Sequence, residues 1–304
     1  MTRPLRLRRS ELSTPGTSEK MMTKAAASTA DLVFLDLEDS VAPVEKPAAR
    51  PLVADALNGL DWGRKTRAVR INGVHTEWAH DDLISIVTAA GANLDIVIVP
   101  KVKAPRDVWF VESLLEQLET KLRLPHPIGI EVLIEEAEAL ARVEEIAACS
   151  PRLEALILGV GDLSASLGMR LGHIGSEAER YPGDMWHYAR NRMIAAARAN
   201  KLDPIDGPYA NFRNAEGYHR EAAWAATLGC AGKWAIHPSQ VDLANEVFAP
   251  TAEEVEQARL VIDAVRAAEA EGAGAASLGG MMIDAATARI FQVVLERAAL
   301  IDGG

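Results

Sequence analysis

Two acidic residues stand where apolar runs end. From Pro127 the chain reads PIGIEVLIE and stops on Glu135; from Ala155 it reads ALILGVGD and stops on Asp162, behind Gly159 and Gly161. An apolar run between turn residues is the pattern of a strand buried on both faces, and a polar group at its end is delivered to whatever site lies there. In a parallel barrel the carboxyl ends of the strands converge on one mouth, which would bring Glu135 and Asp162 together. Two hard oxygen ligands with room for water and substrate suit Mg²⁺, with Mn²⁺ as a possible substitute. Each acid alone would serve equally well as a cap on the helix that follows it, and residue type leaves that choice open.

Other candidate strand ends carry charge as well. The segment Asp36–Ser40, DLEDS, crowds three acids together, which is costly unless cations or hydrogen-bond donors offset them. Asp36 reads best as part of a turn or cap; Glu38 and Asp39 read as partners for a lysine or arginine, or as holders of water around a metal. Arg70, in VRING, could stabilise a developing enolate or grip a carboxylate with both arms. Lys101, in VPKV, could form a Schiff base or balance the acids of DLEDS. The balancing role is favoured, because two candidate metal ligands already supply the electron sink that a Schiff base would otherwise provide. His237, ahead of Pro238, reads as a binding or structural group rather than a general base. No nucleophile elbow is visible.

Strand and helix patterns alternate along the chain. Strands are expected at Ser10–Ser13, Leu32–Leu37, Arg67–Ile71, Ile96–Val99, Ile128–Ile134, Leu156–Val160, Pro204–Ile205 and Trp234–Ile236. Helices are expected at Ser18–Ala27, Glu45–Leu57, Asp81–Ala90, Arg106–Leu122, Glu136–Ala147, Met185–Asn200 and Ala215–Leu228, with a short one at Leu163–Gly168. Eight such units match an α/β fold of the (β/α)₈ type, and no Gly-rich dinucleotide fingerprint or P-loop competes with it. Residues 1–249 would form the barrel with the metal and thioester site, and residues 250–304 a C-terminal helical extension. After Pro238 two helices with no strand between them, Gln240–Phe248 and Glu253–Glu269, are followed by a flexible linker, Glu271–Gly280, and a last helix, Ala285–Ile301, suited to act as a lid on its own barrel or a neighbour.

Composition excludes some classes. A formal charge of −11 argues against general nucleic-acid binding, and no apolar run is long enough for a membrane span. The basic start, MTRPLRLRRS, lacks the apolar stretch of a secretory signal, so it is expected to be an exposed arm on a cytoplasmic protein. Cys149 and Cys230 have neither zinc nor disulfide spacing.

Several blocks resemble a known family: DLEDSVAP at 36–43, LNGLDWGRK at 57–65, VRING at 69–73, VPKV at 99–102, EVLIE at 131–135 and GKWAIHPSQVDLANEVF at 232–248 look like the malyl-coenzyme A lyases. These belong to the citrate lyase beta subunit-like, HpcH/HpaI aldolase superfamily, with citramalyl-coenzyme A lyases and malyl-coenzyme A thioesterases as other members. The resemblance implies reversible cleavage of a coenzyme A thioester such as (S)-malyl-coenzyme A into acetyl-coenzyme A and a 2-oxo acid such as glyoxylate, with hydrolysis of the same thioester, or a non-catalytic acyl-coenzyme A-binding subunit or sensor, as the alternatives. It matches Glu135 and Asp162 to Mg²⁺ ligands and Arg70 to the arginine beside the enolate oxygen. Lys24 matches a coenzyme A contact, while Gly161, Ile236 and His237 match positions lining the acyl pocket. Asp284 matches an acid–base aspartate on a lid that reaches a neighbouring subunit in trimers or hexamers. Three departures stand out: Ser13 and Ser18 replace an aromatic and a basic residue, Gly168–Asp184 is short, and Asn211 replaces an acid in DGPYANF.

Overall fold

In the computed structural model, which describes residues 3–171, 181 and 183–303, eight parallel strands pair in sequence order and the eighth closes on the first. They are β1 Ser10–Pro15, β2 Leu32–Asp36, β3 Thr66–Arg70, β4 Ile96–Val99, β5 Gly129–Ile134, β6 Leu153–Leu158, β7 Asp203–Asp206 and β8 Gly232–Ala235. Helices α1 Glu19–Ala26, α2 Lys46–Gly59, α3 Ala79–Ala90, α4 Pro105–Leu122, α5 Ala137–Ala141, α6 Val143–Ala148, α7 Val160–Ser166, α8 His187–Ala199, α9 Ala215–Leu228 and α10 Val241–Val247 follow the strands. The expected (β/α)₈ barrel is therefore what forms.

The strands read as unbroken apolar runs because both faces are covered. Alternate residues turn inward. Phe34, Ala68, Ile96, Ile98, Leu133, Ile157 and Trp234 fill the barrel, while Val33, Leu35, Val97, Val99, Val132 and Ile134 pack outward beneath the helices. On β5 this period of two makes a ladder: Glu131 low in the barrel, Leu133 in its middle, and Glu135 just past the last paired residue. The same alternation stacks Asp36 above Phe34 and Arg70 above Ala68.

Some boundaries differ from the sequence reading. The sixth strand begins and ends earlier, so Val160, Gly161 and Asp162 belong to the first turn of α7 and not to a strand end. The helix expected over Glu136–Ala147 is two, because Arg142 leaves helical geometry between them. The segment Glu271–Gly280 is not a flexible linker. After α11 (Ala252–Ala270), β9 Ala275–Leu278 pairs antiparallel with β10 Met281–Asp284, and α12 (Ala285–Asp302) follows. Gly279 and Gly280, with φ of 58° and 81°, form the two-residue turn that such a hairpin requires. Ile283 packs with Val261 and Val265 of α11. The notable length of Gly168–Asp184 concerns a stretch of which 172–180 and 182 lie outside the described residues. No described helix is long and apolar enough to cross a membrane.

The basic N-terminus is no exposed arm. Arg8 is buried at the amino-terminal end of the barrel, where its guanidinium meets Glu131 at 2.8 Å and Asp203 at 3.1 Å and also pairs with Glu154. Arg6 reaches Glu154 at 2.9 Å and Arg9 reaches Asp31 at 2.8 Å. Carboxylates too deep for water to solvate draw the arm in. Deeper still, Glu11 accepts a 2.8 Å hydrogen bond from the Trp234 indole, and burial together with the Glu131 charge holds its carboxyl well above the usual range. Replacing Arg8 by Met should leave those acids unpaired and lower stability by about 3–5 kcal/mol. Urea denaturation should show it, with Arg8→Lys recovering only part; an unchanged midpoint would mean the arm contributes nothing.

Candidate active site at the carboxyl end of the barrel

Arg70, the last residue of β3, turns into the barrel and is nearly enclosed. Its Nε and Nη2 each donate to Asp36, at 2.7 Å, in a two-pronged pair, and its guanidinium carbon lies 5.5 Å from the Trp234 ring and 5.8 Å from that of Phe34. Its remaining arm, Nη1, is 3.1 Å from Glu38 Oε2, an ion pair whose angle makes no hydrogen bond. Burial opposes the Arg70 charge, but Asp36 and Glu38 outweigh it and raise the pKa, so the cation is permanent. Asp36 also accepts from the Glu38 and Ser40 N–H groups at 2.9 and 3.0 Å. It is thus the turn residue expected, and in addition the anchor for Arg70, which its residue type alone did not indicate.

Lys101 sits beyond β4 and meets three acids. Its ammonium hydrogen-bonds Glu38 and, at 3.0 Å, Asp39, and lies 3.7 Å from Asp162. Burial works against this charge, yet the bonds and charges of Glu38 and Asp39 raise its pKa. A Schiff-base lysine needs the opposite shift; the balancing role is the one the geometry supports. Lys46, which the sequence reading passed over, donates to the Leu37 and Glu38 carbonyls at 3.0 and 2.7 Å and steadies the same turn. A lysine shortly after DLEDSVAP was the available clue.

Glu135 is buried and accepts the Lys101 N–H at 2.7 Å. It does not cap α5, whose first N–H is taken by Ser166 at 2.9 Å. Asp162, partly exposed, does not cap α7 either: Gly159 holds that position without a side-chain bond. Burial first, then the charge of Glu38, pushes the Glu135 carboxyl up to about 8; Asp162 adds to this, while the Lys101 N–H and Arg70 oppose it. Asp36, Glu38, Asp39, Glu135 and Asp162 thus face three cations, Arg70, Lys101 and, behind the turn after β2, Lys46. A carboxyl that burial and like charge keep protonated near neutrality is short of one more positive neighbour. Hard oxygen donors and a deficit of positive charge fit a divalent cation held by Glu135 and Asp162. Among the described residues no three acid, His or Cys side chains form a ready metal cage, so water and substrate oxygens would complete the shell, as Mg²⁺ favours.

The other expected residues spread around the mouth. Gly161 is in the first turn of α7. Ile236 follows β8, its N–H bonded to Gln240 at 2.8 Å, and His237 stacks on Phe212 at 4.8 Å with Nδ1 accepting from the Ser239 N–H at 3.2 Å. Lys24 is exposed on α1, and among the described contacts none ties it to the acid cluster. Ser18 caps α1. Asn211 is exposed beyond β7. A cleft of about 620 Å³ opens beside the mouth, lined by Val160, Tyr209, Trp186 and Trp224 and by none of the acid cluster. Asp284 caps α12, accepting from the Ala286 and Thr287 N–H groups at 3.0 and 2.9 Å. The Thr287 bonds hold its pKa below the usual value.

The model for HpcH/HpaI aldolase/citrate lyase matches residues 9–238, the whole barrel with both candidate ligands. The chain belongs to this family. It is 43% identical to the L-malyl-CoA/beta-methylmalyl-CoA lyase of Cereibacter sphaeroides, over 98% of this chain and 96% of that one. It is 34% identical to a (3S)-malyl-CoA thioesterase from the same species, covering 91% and 89%. Among solved structures, CitE of Mycobacterium tuberculosis in complex with magnesium, acetoacetate and coenzyme A superimposes with a TM-score of 0.75 at 29% identity, covering 95% and 97%.

In this member of the family Gly159 leaves the room that Glu135 occupies: a Cβ there would stand 2.4 Å from the Glu135 Cβ and 2.6 Å from Oε2. Gly159→Ala should displace the carboxylate and weaken divalent-cation binding at least about tenfold, while costing only about 1–3 kcal/mol of stability. Calorimetric titration alongside urea denaturation checks both; unaltered binding would mean that Glu135 does not hold the cation.

Proposed function

We propose that this protein is a divalent-cation-dependent carbon–carbon lyase that cleaves (S)-malyl-coenzyme A reversibly to acetyl-coenzyme A and glyoxylate, with β-methylmalyl- and citramalyl-coenzyme A as further substrates. The observation that carries this reading is the convergence of one permanent cation, Arg70, and the carboxylates Glu135 and Asp162 at the barrel mouth. The names of the relatives, and the magnesium and coenzyme A in the neighbour's complex, support it.

Glu135 and Asp162 would hold the Mg²⁺, which when bound would supply a Lewis acid for the carbonyl of the oxo acid. Arg70 stabilises the enolate oxygen of the acetyl thioester. Two of its arms are already committed to Asp36, so its orientation is set before substrate arrives and little reorganisation is needed as charge develops. Lys101 is held by Glu38 and Asp39, which keeps its ammonium from taking a proton-transfer role. Gly161, Ile236 and His237 line the acyl pocket, and Lys24 offers a cation to the nucleotide phosphates.

The base that takes a proton from the acetyl methyl is Asp284, presented by α12 to the mouth of a neighbouring subunit in a trimer or a hexamer of trimers. In the single chain α12 buries no side chain fully, and Met281, Met282, Ile290 and Val293 stand exposed around Asp284 and along the helix. Its last turns are footed at the opposite end of the barrel: Arg297 bonds the Cys230 carbonyl at 3.2 Å, and Leu300 and Ile301 line a cleft with Arg9 and Thr66. Burial under a neighbour would remove water from Asp284 and raise its basicity.

Incubation with acetyl-coenzyme A, glyoxylate and Mg²⁺ should yield malyl-coenzyme A, and exhaustive chelation should abolish the product. Offered malyl-coenzyme A directly, a thioesterase would instead release malate and free coenzyme A with no acetyl-coenzyme A or glyoxylate, and that outcome would replace the lyase assignment. Shared sites make a second expectation. Asp284→Ala and Glu135→Gln proteins, each inactive alone, should regain partial activity after verified subunit exchange. If exchanged subunits stay inactive, Asp284 serves its own barrel or only caps α12.

A further inference from the structure

We propose that Lys101 is the positioning residue of the two-carboxylate site, holding Glu135 through a left-handed backbone and Asp162 through its side chain. This rests on the reading of Glu135 and Asp162 as cation ligands. Among the described residues three non-glycine positions have positive φ: Lys101 at 52°, Arg123 at 53° and Lys201 at 58°. Arg123 ends α4 and Lys201 follows the cap of α8, places where a left-handed residue is an ordinary way to stop a helix. Lys101 stops no helix. It lies between β4 and α4, at the mouth, and a conformation that L side chains avoid persists there only because its surroundings determine it.

Those surroundings are the acids. The torsion φ sets the angle between a residue's own N–H and its Cα–Cβ bond. At 52° Lys101 gives its N–H to Glu135, one strand over, at 2.7 Å, and sends its ammonium the other way, to Glu38 and Asp39 beyond β2, passing 3.7 Å from Asp162. One residue therefore spans from the buried ligand to the exposed one. A lysine that only balanced charge would need no particular backbone.

Charge and position predict opposite signs. Taking away a cation so near Asp162 should by charge alone tighten binding of a second cation, so weaker binding reports lost positioning. The test measures Mn²⁺ affinity by electron paramagnetic resonance on metal-stripped protein without substrate. Lys101→Gly keeps a backbone at ease with positive φ and loses the ammonium; Lys101→Val loses both, since a β-branched residue resists that region. The expected result is a several-fold loss for the glycine variant and a loss on the order of 10–100-fold for the valine variant, with circular dichroism showing both folded. Should the valine variant not fold, Lys101→Ala takes its place against glycine. Unchanged or tighter Mn²⁺ binding in these variants, or equal losses in both, would overturn the proposal. Glu135→Gln separates the two readings. If wild type binds Mn²⁺ and Glu135→Gln does not, the site stands and the Lys101 variants alone decide. If those two bind alike, the cation site itself is refuted and this inference with it.

Discussion

A guanidinium inside a barrel has to be neutralised where it stands, and the pairing of Arg70 with Asp36 meets that requirement with two parallel hydrogen bonds between adjacent strands. Much of the mouth follows from it. Because Asp36 is bound to Arg70, the turn after β2 closes over the Glu38 and Ser40 N–H groups, which brings Glu38 and Asp39 up to meet Lys101. Lys101 in turn fixes Glu135. Such a buried pair adds little net stability, since desolvation offsets most of the attraction, and its effect is to specify one arrangement of charges.

The two ends of the barrel solve related problems differently. At the amino-terminal end Glu131, Glu154 and Asp203 are answered by Arg8 from the chain's own terminus, and the pocket is closed by protein. At the carboxyl end the acids outnumber the protein's cations, and the carboxyl of Glu135 is left near neutrality by burial and by Glu38. Glu131 and Glu135 lie on the same face of β5, four residues apart, with Leu133 between them. Glu131 has a guanidinium as its hydrogen-bond partner, whereas Glu135 at the mouth accepts only the Lys101 N–H among the described residues.

The C-terminal extension makes a third kind of surface. The hairpin β9–β10 seals one face of α11 with Ile283, and leaves Met281, Met282 and much of α12 open. α12 packs one side on α11 through Ala288 and Phe291, while Ile290 and Val293 on its other side stay exposed.

The sequence by itself determined the barrel. Eight apolar runs, breakers between them and helical periodicity are local properties, and each element's hydrophobic pattern is readable without knowing what covers it. It also determined that Glu135, Arg70 and Lys101 stand at strand ends on one side of the sheet, since parallel strands share their direction. Only the tertiary structure decided which charges meet. DLEDS announced an unpaired excess of acid, but not that Asp36 would face Arg70 while Glu38 and Asp39 faced Lys101, because partners on different strands depend on register and inward alternation. The arginines of MTRPLRLRRS read as solvated until the carboxylates beneath the barrel were in place to draw them in. EGAGAASLGG read as a linker because its small residues carry little pattern of their own. The hairpin exists through pairing of β9 with β10 and packing on α11, and Asp162 left its strand for the first turn of α7 because β6 ends at Leu158 and the helix begins at Val160. Local propensity is written in neighbouring residues; electrostatic complementarity and edge pairing are properties of residues that only folding brings within reach.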